Sequence, residues 1–196
     1  EKEKQMLQQG HNSNVIPVIA LHEAYPGHHV QLTLAKQNLN LDKATSIRHL
    51  YSNTMLIEGW ALYCEQLMVE QGFLNEKEEL MMLKNRLWRA VRVVVDIELH
   101  TGRMSYNEAV AFLVKKLDMP EEFAKKEVLR YTMSPTQPLS YEIGRRLINQ
   151  LRDKQKTKLG KDFNLKEFHN ALLSKGSLPI KVIEQLAFNK PAEVLN

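Results

Sequence analysis

The sequence predicts an all-α fold of about eight helices. Two capping-box spacings, Asn75 with Glu78 and Ser105 with Glu108, mark helix beginnings, because such pairs satisfy the free N–H groups of a first helical turn. Glycines that follow long stretches of helical apolar periodicity mark helix ends. No stretch alternates apolar and polar residues as a half-buried strand would.

The first three predicted helices have recognisable ends. Helix 1 begins after Asn14 and places Pro17 in its first turn, where proline is tolerated. Helix 2 extends from about Asp42 to Gln71 and ends at Gly72, which we predict to be its C-terminal cap. Helix 3 begins with Asn75 and ends at Gly102.

Caps, prolines and one loop define the remaining helices. In order, these are helix 4 from Ser105, helix 5 from Pro120, a loop at residues 134–138, helix 6 from about Leu139 to Gly160, helix 7 from Asn164, and helix 8 from Ser177 and Pro179.

The most informative segment is residues 22–29, which read His-Glu-Ala-Tyr-Pro-Gly-His-His. A zinc hydrolase uses neutral imidazoles to hold the metal and a nearby carboxylate to take a proton from water. The segment is similar to the His-Glu-x-x-His signature of helical zinc peptidases, but its next histidine comes two residues late.

The spacing requires a local irregularity. On a regular helix, His28 would point about 120° away from His22, and His29 would lie about 10 Å further along the axis. Pro26 lacks an N–H and clashes with the carbonyl four residues earlier, and Gly27 tolerates unusual backbone angles. We therefore predict a bulge that returns His28 to the face of His22, with His29 as the alternative ligand.

Glu58 is the best candidate for a third Zn²⁺ ligand. It lies in an apolar helical stretch, where an unpaired carboxylate would be unfavourable. Gly59 beside it would let another backbone approach closely. Glu65, two turns further on the same face, could hydrogen-bond a ligating imidazole.

Composition excludes several classes of protein. The chain is 43% hydrophobic and 26% charged, as globular domains are, and its single Cys64 excludes both an internal disulfide framework and a cysteine cluster for zinc. No apolar run approaches the ~20 residues of a membrane span, so we expect no membrane partner. Basic residues concentrate at 145–166, but without the aromatic or glycine-rich accompaniment of nucleic-acid binding.

Several motifs in order resemble a bacterial family, the domain-of-unknown-function-885 proteins. The family is zincin-like and distantly similar to the Taq-type thermostable metallocarboxypeptidases, which are mostly helical. The chain departs from the family pattern at Glu98, where glycine is expected, and at residues 135–138, where Pro-Gly-Gln-Ala is expected. The matching segments are 22–31, 58–65, 89–100, 130–131, 137–144 and 168–179.

The resemblance implies a single zincin-like helical catalytic domain over residues 1–196, the C-terminal part of a larger helical metallopeptidase-like fold. Family members are usually much longer, so the missing N-terminal half of the same protein is an expected partner. Without it, exposed apolar surface favours self-association, and we expect the isolated chain to bind zinc but to hydrolyse peptides poorly. A targeting segment would also be missing, so the compartment stays open, with the cytoplasm slightly favoured.

The expected activity is zinc-dependent hydrolysis of a peptide substrate, as in a carboxypeptidase or dipeptidase. His22, His28 and Glu58 hold Zn²⁺, Glu23 acts as the general base, and Tyr141 stabilises the oxyanion of the tetrahedral intermediate. One alternative is a catalytically inactive binding module on a zincin scaffold. The other is a basic helical nucleic-acid binder, although we expect no nucleic-acid partner.

Further residues have two interpretations each. Arg130 could bind a substrate carboxylate as a bidentate fork or pair with Glu127 or Asp96. Tyr131 could donate to the oxyanion or simply be buried, and Gln137 is a further substrate-binding candidate.

Two more histidines have open roles. His100 lies at the end of helix 3, where a cation suits the helix dipole. His169 lies in an apolar helix, where a histidine is more often structural.

Overall fold

The structure, a computed structural model, describes residues 12–39 and 51–189. These residues form helices and connecting turns, with no strand among them, so the all-α prediction is confirmed. In chain order the helices are α1 (Ile16–Glu23), α2 (His28–Leu39), α3 (Thr54–Glu70), α4 (Glu76–His100), α5 (Tyr106–Leu117), α6 (Glu121–Thr132), α7 (Gln137–Leu159), α8 (Leu165–Leu173) and α9 (Ile180–Ile183). A 3-10 turn at Gly160–Asp162 follows α7, and a π-helical turn at Glu184–Phe188 follows α9.

The described residues divide into two compact units. Unit 1 contains residues 12–20 and 65–143, and unit 2 contains residues 21–39, 51–64 and 144–189. The single domain expected over residues 1–196 stays a prediction.

The predicted helix caps are confirmed. Asn75 accepts from the backbone N–H of Glu78, while the Glu78 carboxylate accepts from the backbone N–H of Asn75. Ser105 and Glu108 make the same reciprocal pair at the start of α5. Asn164 caps α8 through its side-chain oxygen. These pairs form because they satisfy the N–H groups that a first helical turn leaves open.

Two helix beginnings differ from the prediction. Predicted helix 2 begins near residue 42, but residues 42–50 lie outside the described part of the chain, and the described helix begins at Thr54. The side chain of Asn53 caps it by accepting from the N–H of Leu56. Helix 6 was predicted to begin at about Leu139, but the corresponding helix α7 begins two residues earlier, at Gln137, because Pro138 fits the first turn of a helix.

Unit 1 is built on the packing of α4, α5 and α6. The apolar faces of these three helices meet in one buried cluster, which explains their period of three to four residues. The cluster comprises Val91, Val95, Ala109, Val110, Leu113, Ala124, Val128 and Tyr131.

Unit 2 depends on a close crossing of α3 and α7. A side-chain carbon added to Gly59 would lie 2.5 Å from the Cα of Gly144, and one added to Gly144 would lie 1.9 Å from the carbonyl oxygen of Met55. The expectation that Gly59 lets another backbone approach is therefore confirmed. The crossing holds in place the turn of α3 that carries Glu58.

Candidate metal centre

The two candidate histidine ligands lie on separate helices. α1 ends at Glu23 and α2 begins at His28, with a turn of residues 24–27 between them that contains a cis Tyr25–Pro26 peptide bond. The predicted bulge within one continuous helix is therefore wrong. The two extra residues are absorbed because one helix ends at Glu23 and a second begins at His28.

Gly27 is required by space. A side-chain carbon at this position would lie 1.9 Å from the carbonyl oxygen of His22 and 2.4 Å from that of Leu21. The end of α1 therefore packs directly against the backbone of Gly27. Glycine is needed here, as predicted, but the reason is different. No side chain fits beside the carbonyls of Leu21 and His22, whereas the prediction relied on the backbone angles that glycine can adopt.

The turn brings the two imidazoles together. The ring centroids of His22 and His28 are 4.8 Å apart, with the planes at 89°. Glu58 approaches both rings from α3: its Oε2 lies 3.8 Å from Nε2 of His22 and 3.4 Å from Nε2 of His28. His22, Glu23 and His28 each place a potential ligand atom within 4.8 Å of the others.

These distances suit a zinc ion. Ligand atoms about 2.0–2.1 Å from a tetrahedral zinc lie about 3.3–3.4 Å from one another. The 3.4 and 3.8 Å separations from Glu58 are close to that spacing. Nδ1 of His28 is buried without a hydrogen-bond partner among the described residues, which leaves that ring with unused ligating or donating capacity. Two imidazoles and a carboxylate are also the donor set of one class of catalytic zinc site.

The carboxylate of Glu58 is held in its ionised form. Burial raises its pKa, but hydrogen bonds and charge from His22 and His28 outweigh burial and lower the pKa to about 2. A metal ligand must be deprotonated, so Glu58 is ready to bind a cation at neutral pH.

His28, not His29, is the histidine that the turn brings to His22. His29 is exposed on α2, whereas His28 is half-buried and its ring packs against that of His22. Glu23 is also exposed, although its carboxylate belongs to the cluster of potential ligands. The structure therefore separates the two adjacent histidines by burial.

Trp60 and Cys64, for which the sequence predicted only core packing, hold the turn. Nε1 of Trp60 donates to the carbonyl oxygen of Pro26 at 3.0 Å, and Sγ of Cys64 lies 3.4 Å from the same oxygen. Two signals in the sequence pointed to them: their spacing of four residues, which places both on one face of α3, and their position in the segment 58–65 that resembles the family.

A buried polar network lies beside Trp60. The hydroxyl of Tyr63 lies 2.8 Å from Nε2 of His169 and accepts from Nη1 of Arg152 at 3.3 Å. The His169 ring stands edge-on to Trp60, with centroids 5.3 Å apart. Burial, together with the charge of Arg152, lowers the pKa of His169 to about 4, so this ring is neutral at pH 7.

The other predicted site residues belong to unit 1, where most of them form one network. Arg130 pairs with Glu127, with Nη2 3.0 Å from Oε2, and donates to the side-chain oxygen of Gln137 at 3.2 Å. Gln137 in turn donates to the hydroxyl of Tyr141 at 3.0 Å. Of the two ion-pair partners considered for Arg130, the structure places Glu127 against it. The oxyanion role of Tyr141 stays a prediction.

Tyr131 and Glu65 are buried in unit 1. The Tyr131 hydroxyl donates to Glu127 at 2.9 Å and accepts from Trp88 and Arg92. Burial is the main cause that raises the pKa of Tyr131. Glu65 lies 3.5 Å from Nη2 of Arg89, and its predicted bond to a ligating imidazole stays a prediction.

Asp96 is a structural residue that sequence analysis considered only as a partner for Arg130. Its buried carboxylate accepts from the backbone N–H groups of Thr136 and Leu139, at the start of α7. It also lies 2.9 Å from Nδ1 of His100, which explains why a histidine ends α4.

Residues 3–186 match the family described as "Bacterial protein of unknown function (DUF885)". The chain belongs to this family. The resemblance inferred from the ordered motifs is thereby confirmed at the level of the family.

Two solved structures have the same fold over most of this chain. The crystal structure of a "putative lipoprotein" from Colwellia psychrerythraea is 34% identical, with a TM-score of 0.81 over 88% of this chain and 29% of that one. A "putative lipoprotein of unknown function" from Shewanella oneidensis is 32% identical, with a TM-score of 0.83 over 95% of this chain and 34% of that one. The chain thus spans about a third of the length of these two relatives. No curated protein matches it.

The family match leaves the cellular location open. Among the residues that the structure describes, no helix is both long and apolar enough to cross a membrane. The lipoprotein descriptions belong to the two relatives, and the slight preference for the cytoplasm stays a prediction.

Proposed function

We propose that this DUF885 chain binds Zn²⁺ through His22, His28 and Glu58 and contributes this centre to a peptide-bond hydrolase. The proposal includes the zincin-like relationship expected from the motifs. The observation that carries it is the convergence of two imidazoles and one ionised carboxylate from three different helices, at separations close to those of a tetrahedral site.

Zinc bound at this site would polarise the scissile carbonyl and lower the pKa of an attacking water. We assign to Glu23 the role of accepting the proton of that water, because Glu23 follows His22 directly and its carboxylate lies within 4.8 Å of both imidazoles. It then delivers the proton to the leaving amine. Its exposure suits this role, since substrate and water must reach it, whereas a ligand needs no such access.

The charge of the donor set supports zinc. Two neutral imidazoles and one carboxylate leave a bound dication with one net positive charge. That charge is available to stabilise the negative oxygen that develops during amide hydrolysis. The low pKa of Glu58 means that its carboxylate supplies its negative charge to this donor set at neutral pH.

The substrate proposed is a peptide, with no assigned end preference. A carboxypeptidase or dipeptidase needs a cation for a free terminal carboxylate, and Arg130 was the candidate. Its guanidinium is already paired with Glu127 and Gln137. The structure therefore gives no support to a terminal-carboxylate site at Arg130.

The test is metal analysis of the purified chain after zinc loading and removal of excess metal. We expect one zinc per chain, lost in His22→Ala, His28→Ala and Glu58→Ala. His29→Ala is the matched control and should keep its zinc, because this ring is exposed on α2. A wild-type chain without stoichiometric zinc would refute the proposal.

Catalysis is tested separately, by mass spectrometry of a mixed peptide library. The Shewanella oneidensis relative should be assayed in parallel, because this chain spans 34% of it. Replacement of Glu23, or of its equivalent in the relative, by glutamine should leave zinc bound and abolish cleavage. Stoichiometric zinc without cleavage in either protein would favour the inactive binding module.

A further inference from the structure

The carbonyl of Pro26 is the point at which α3 holds the turn between the two histidine ligands. We propose that Trp60 and Cys64 are positioning residues for the metal centre, acting through this carbonyl. This inference rests on the proposed zinc site. It adds that two hydrogen-bond donors, Trp60 and Cys64, support the turn between the ligands.

The contact is partly buried and is made from one face of α3. Trp60 is 2% exposed and Cys64 is fully buried. Nε1 of Trp60 lies 3.0 Å and Sγ of Cys64 lies 3.4 Å from the Pro26 oxygen. One acceptor thus receives a strong N–H donor and a weak S–H donor, and both come from residues one helical turn apart.

The turn needs such a contact because helical hydrogen bonds do not extend through it. Residues 24–27 lie between α1 and α2, and Pro26 has no N–H of its own to donate. On one side, the backbone of Gly27 is in contact with the carbonyl of His22, so that the turn cannot move inward. On the other side, Trp60 and Cys64 hold the Pro26 carbonyl. Together these contacts fix the position of His28 relative to His22.

The same helix supplies the third ligand. Glu58 lies two residues before Trp60 on α3, so a shift of the turn relative to α3 would change the distances from Glu58 to both imidazoles. At present these distances are 3.8 and 3.4 Å. A metal site tolerates errors of only a few tenths of an ångström, so a loose turn would weaken binding.

The indole of Trp60 is itself held in place. The ring of His169 stands edge-on to it at 5.3 Å and 86°, and the ring of Tyr63 packs at 5.5 Å. Tyr63 and His169 are joined by a 2.8 Å contact. Packing against these two rings therefore holds the indole N–H in the orientation that donates to the Pro26 carbonyl.

Simple core packing is the competing explanation, and conservative variants separate the two. Trp60→Phe keeps an aromatic ring but removes the N–H donor. Cys64→Ala removes the weak donor, while Cys64→Ser keeps a donor of similar size. Trp88→Phe is the matched control, because Trp88 lies in unit 1 and its N–H bonds the Tyr131 hydroxyl.

The experiment measures the Kd of each metal-free chain for Zn²⁺ by competition with a chromophoric chelator, beside its thermal unfolding without metal. We expect Trp60→Phe to raise the Kd about 10- to 100-fold, as the loss of an outer hydrogen-bond partner does. Trp88→Phe should lower the melting temperature without changing the Kd. Cys64→Ala should raise the Kd less than Trp60→Phe does, and Cys64→Ser should restore it towards wild type.

The outcomes distinguish this inference from the proposed function. If the wild-type chain binds zinc and both Trp60→Phe and Cys64→Ala bind it equally well, the positioning role is refuted and the zinc site stands. If the wild-type chain binds no zinc, the proposed function is refuted and the positioning role with it. Should Trp60→Phe fail to fold, the comparison of Cys64→Ala with Cys64→Ser decides, since equal Kd values for those two would overturn the inference.

Discussion

Nε2 of His28 lies 3.4 Å from Oε2 of Glu58, although the two residues belong to different helices, α2 and α3. A histidine and a carboxylate this close together can form an ion pair, or they can bind the same cation. The second imidazole, that of His22, lies 3.8 Å from the same oxygen. The zinc site proposed above makes use of this arrangement of three potential ligands.

The first prediction separates the adjacent histidines. His28→Ala should weaken zinc binding by more than the roughly 100-fold typical of losing an outer partner, because it would remove a proposed direct ligand. His29→Ala should leave binding near wild type, since that side chain is exposed on α2. Competition titration of both variants checks this. If His29→Ala empties the site and His28→Ala does not, the assignment of the ligand is wrong.

The second prediction concerns Gly27. Gly27→Ala would place a methyl group 1.9 Å from the carbonyl oxygen of His22, so α1 and the turn must separate. We expect a loss of stability of about 1–3 kcal/mol, as for other overpacked positions, together with weaker zinc binding. Urea unfolding and zinc titration measure the two effects. Ala24→Ser, an exposed substitution in the same turn, should change neither.

The third prediction concerns the crossing of α3 and α7. Gly59→Ala would place its methyl carbon 2.5 Å from the Cα of Gly144, and backbone cannot move aside as a flexible side chain can. We expect destabilisation of at least about 1–3 kcal/mol in urea unfolding. Gly144→Ala should be as severe, because its methyl carbon would lie 1.9 Å from the Met55 oxygen. A fully stable Gly59→Ala chain would show that the helices do not cross this closely.

The fourth prediction is a pH dependence of stability from His169. Burial and then Arg152 lower its folded pKa to about 4, so the unfolded chain, with an ordinary pKa near 6.5, binds the proton more readily. The contribution of His169 to stability is therefore intact above about pH 6.5 and is lost as the pH falls towards 4. After allowance for solvent screening, we expect a loss of roughly 1–2 kcal/mol over this range.

His169→Gln provides the control for that measurement. Glutamine does not titrate, so the part of the acid destabilisation that comes from this site should disappear in urea unfolding between pH 4 and pH 7. An unchanged pH profile in His169→Gln would contradict the neutral, buried state of this ring at pH 7.

Local signals in the sequence were sufficient for most helix boundaries. The pairs Asn75 with Glu78 and Ser105 with Glu108 form as predicted because a capping box joins residues only three apart. The candidate ligands could also be predicted from the sequence, because residues 22–29 and Glu58 supply the imidazoles and the carboxylate that a metal site uses. Such features need no knowledge of the rest of the chain.

The geometry of the centre was decided by tertiary structure. Whether the extra residues formed a bulge or a turn depended on the contact between Gly27 and the carbonyl of His22. Trp60 and Cys64 looked like ordinary core residues, because the acceptor they share, the carbonyl of Pro26, lies far from them in sequence. Sequence therefore determined which chemical groups the centre contains, whereas packing between helices determined their positions, because backbone contacts between distant segments leave no periodic pattern along the chain.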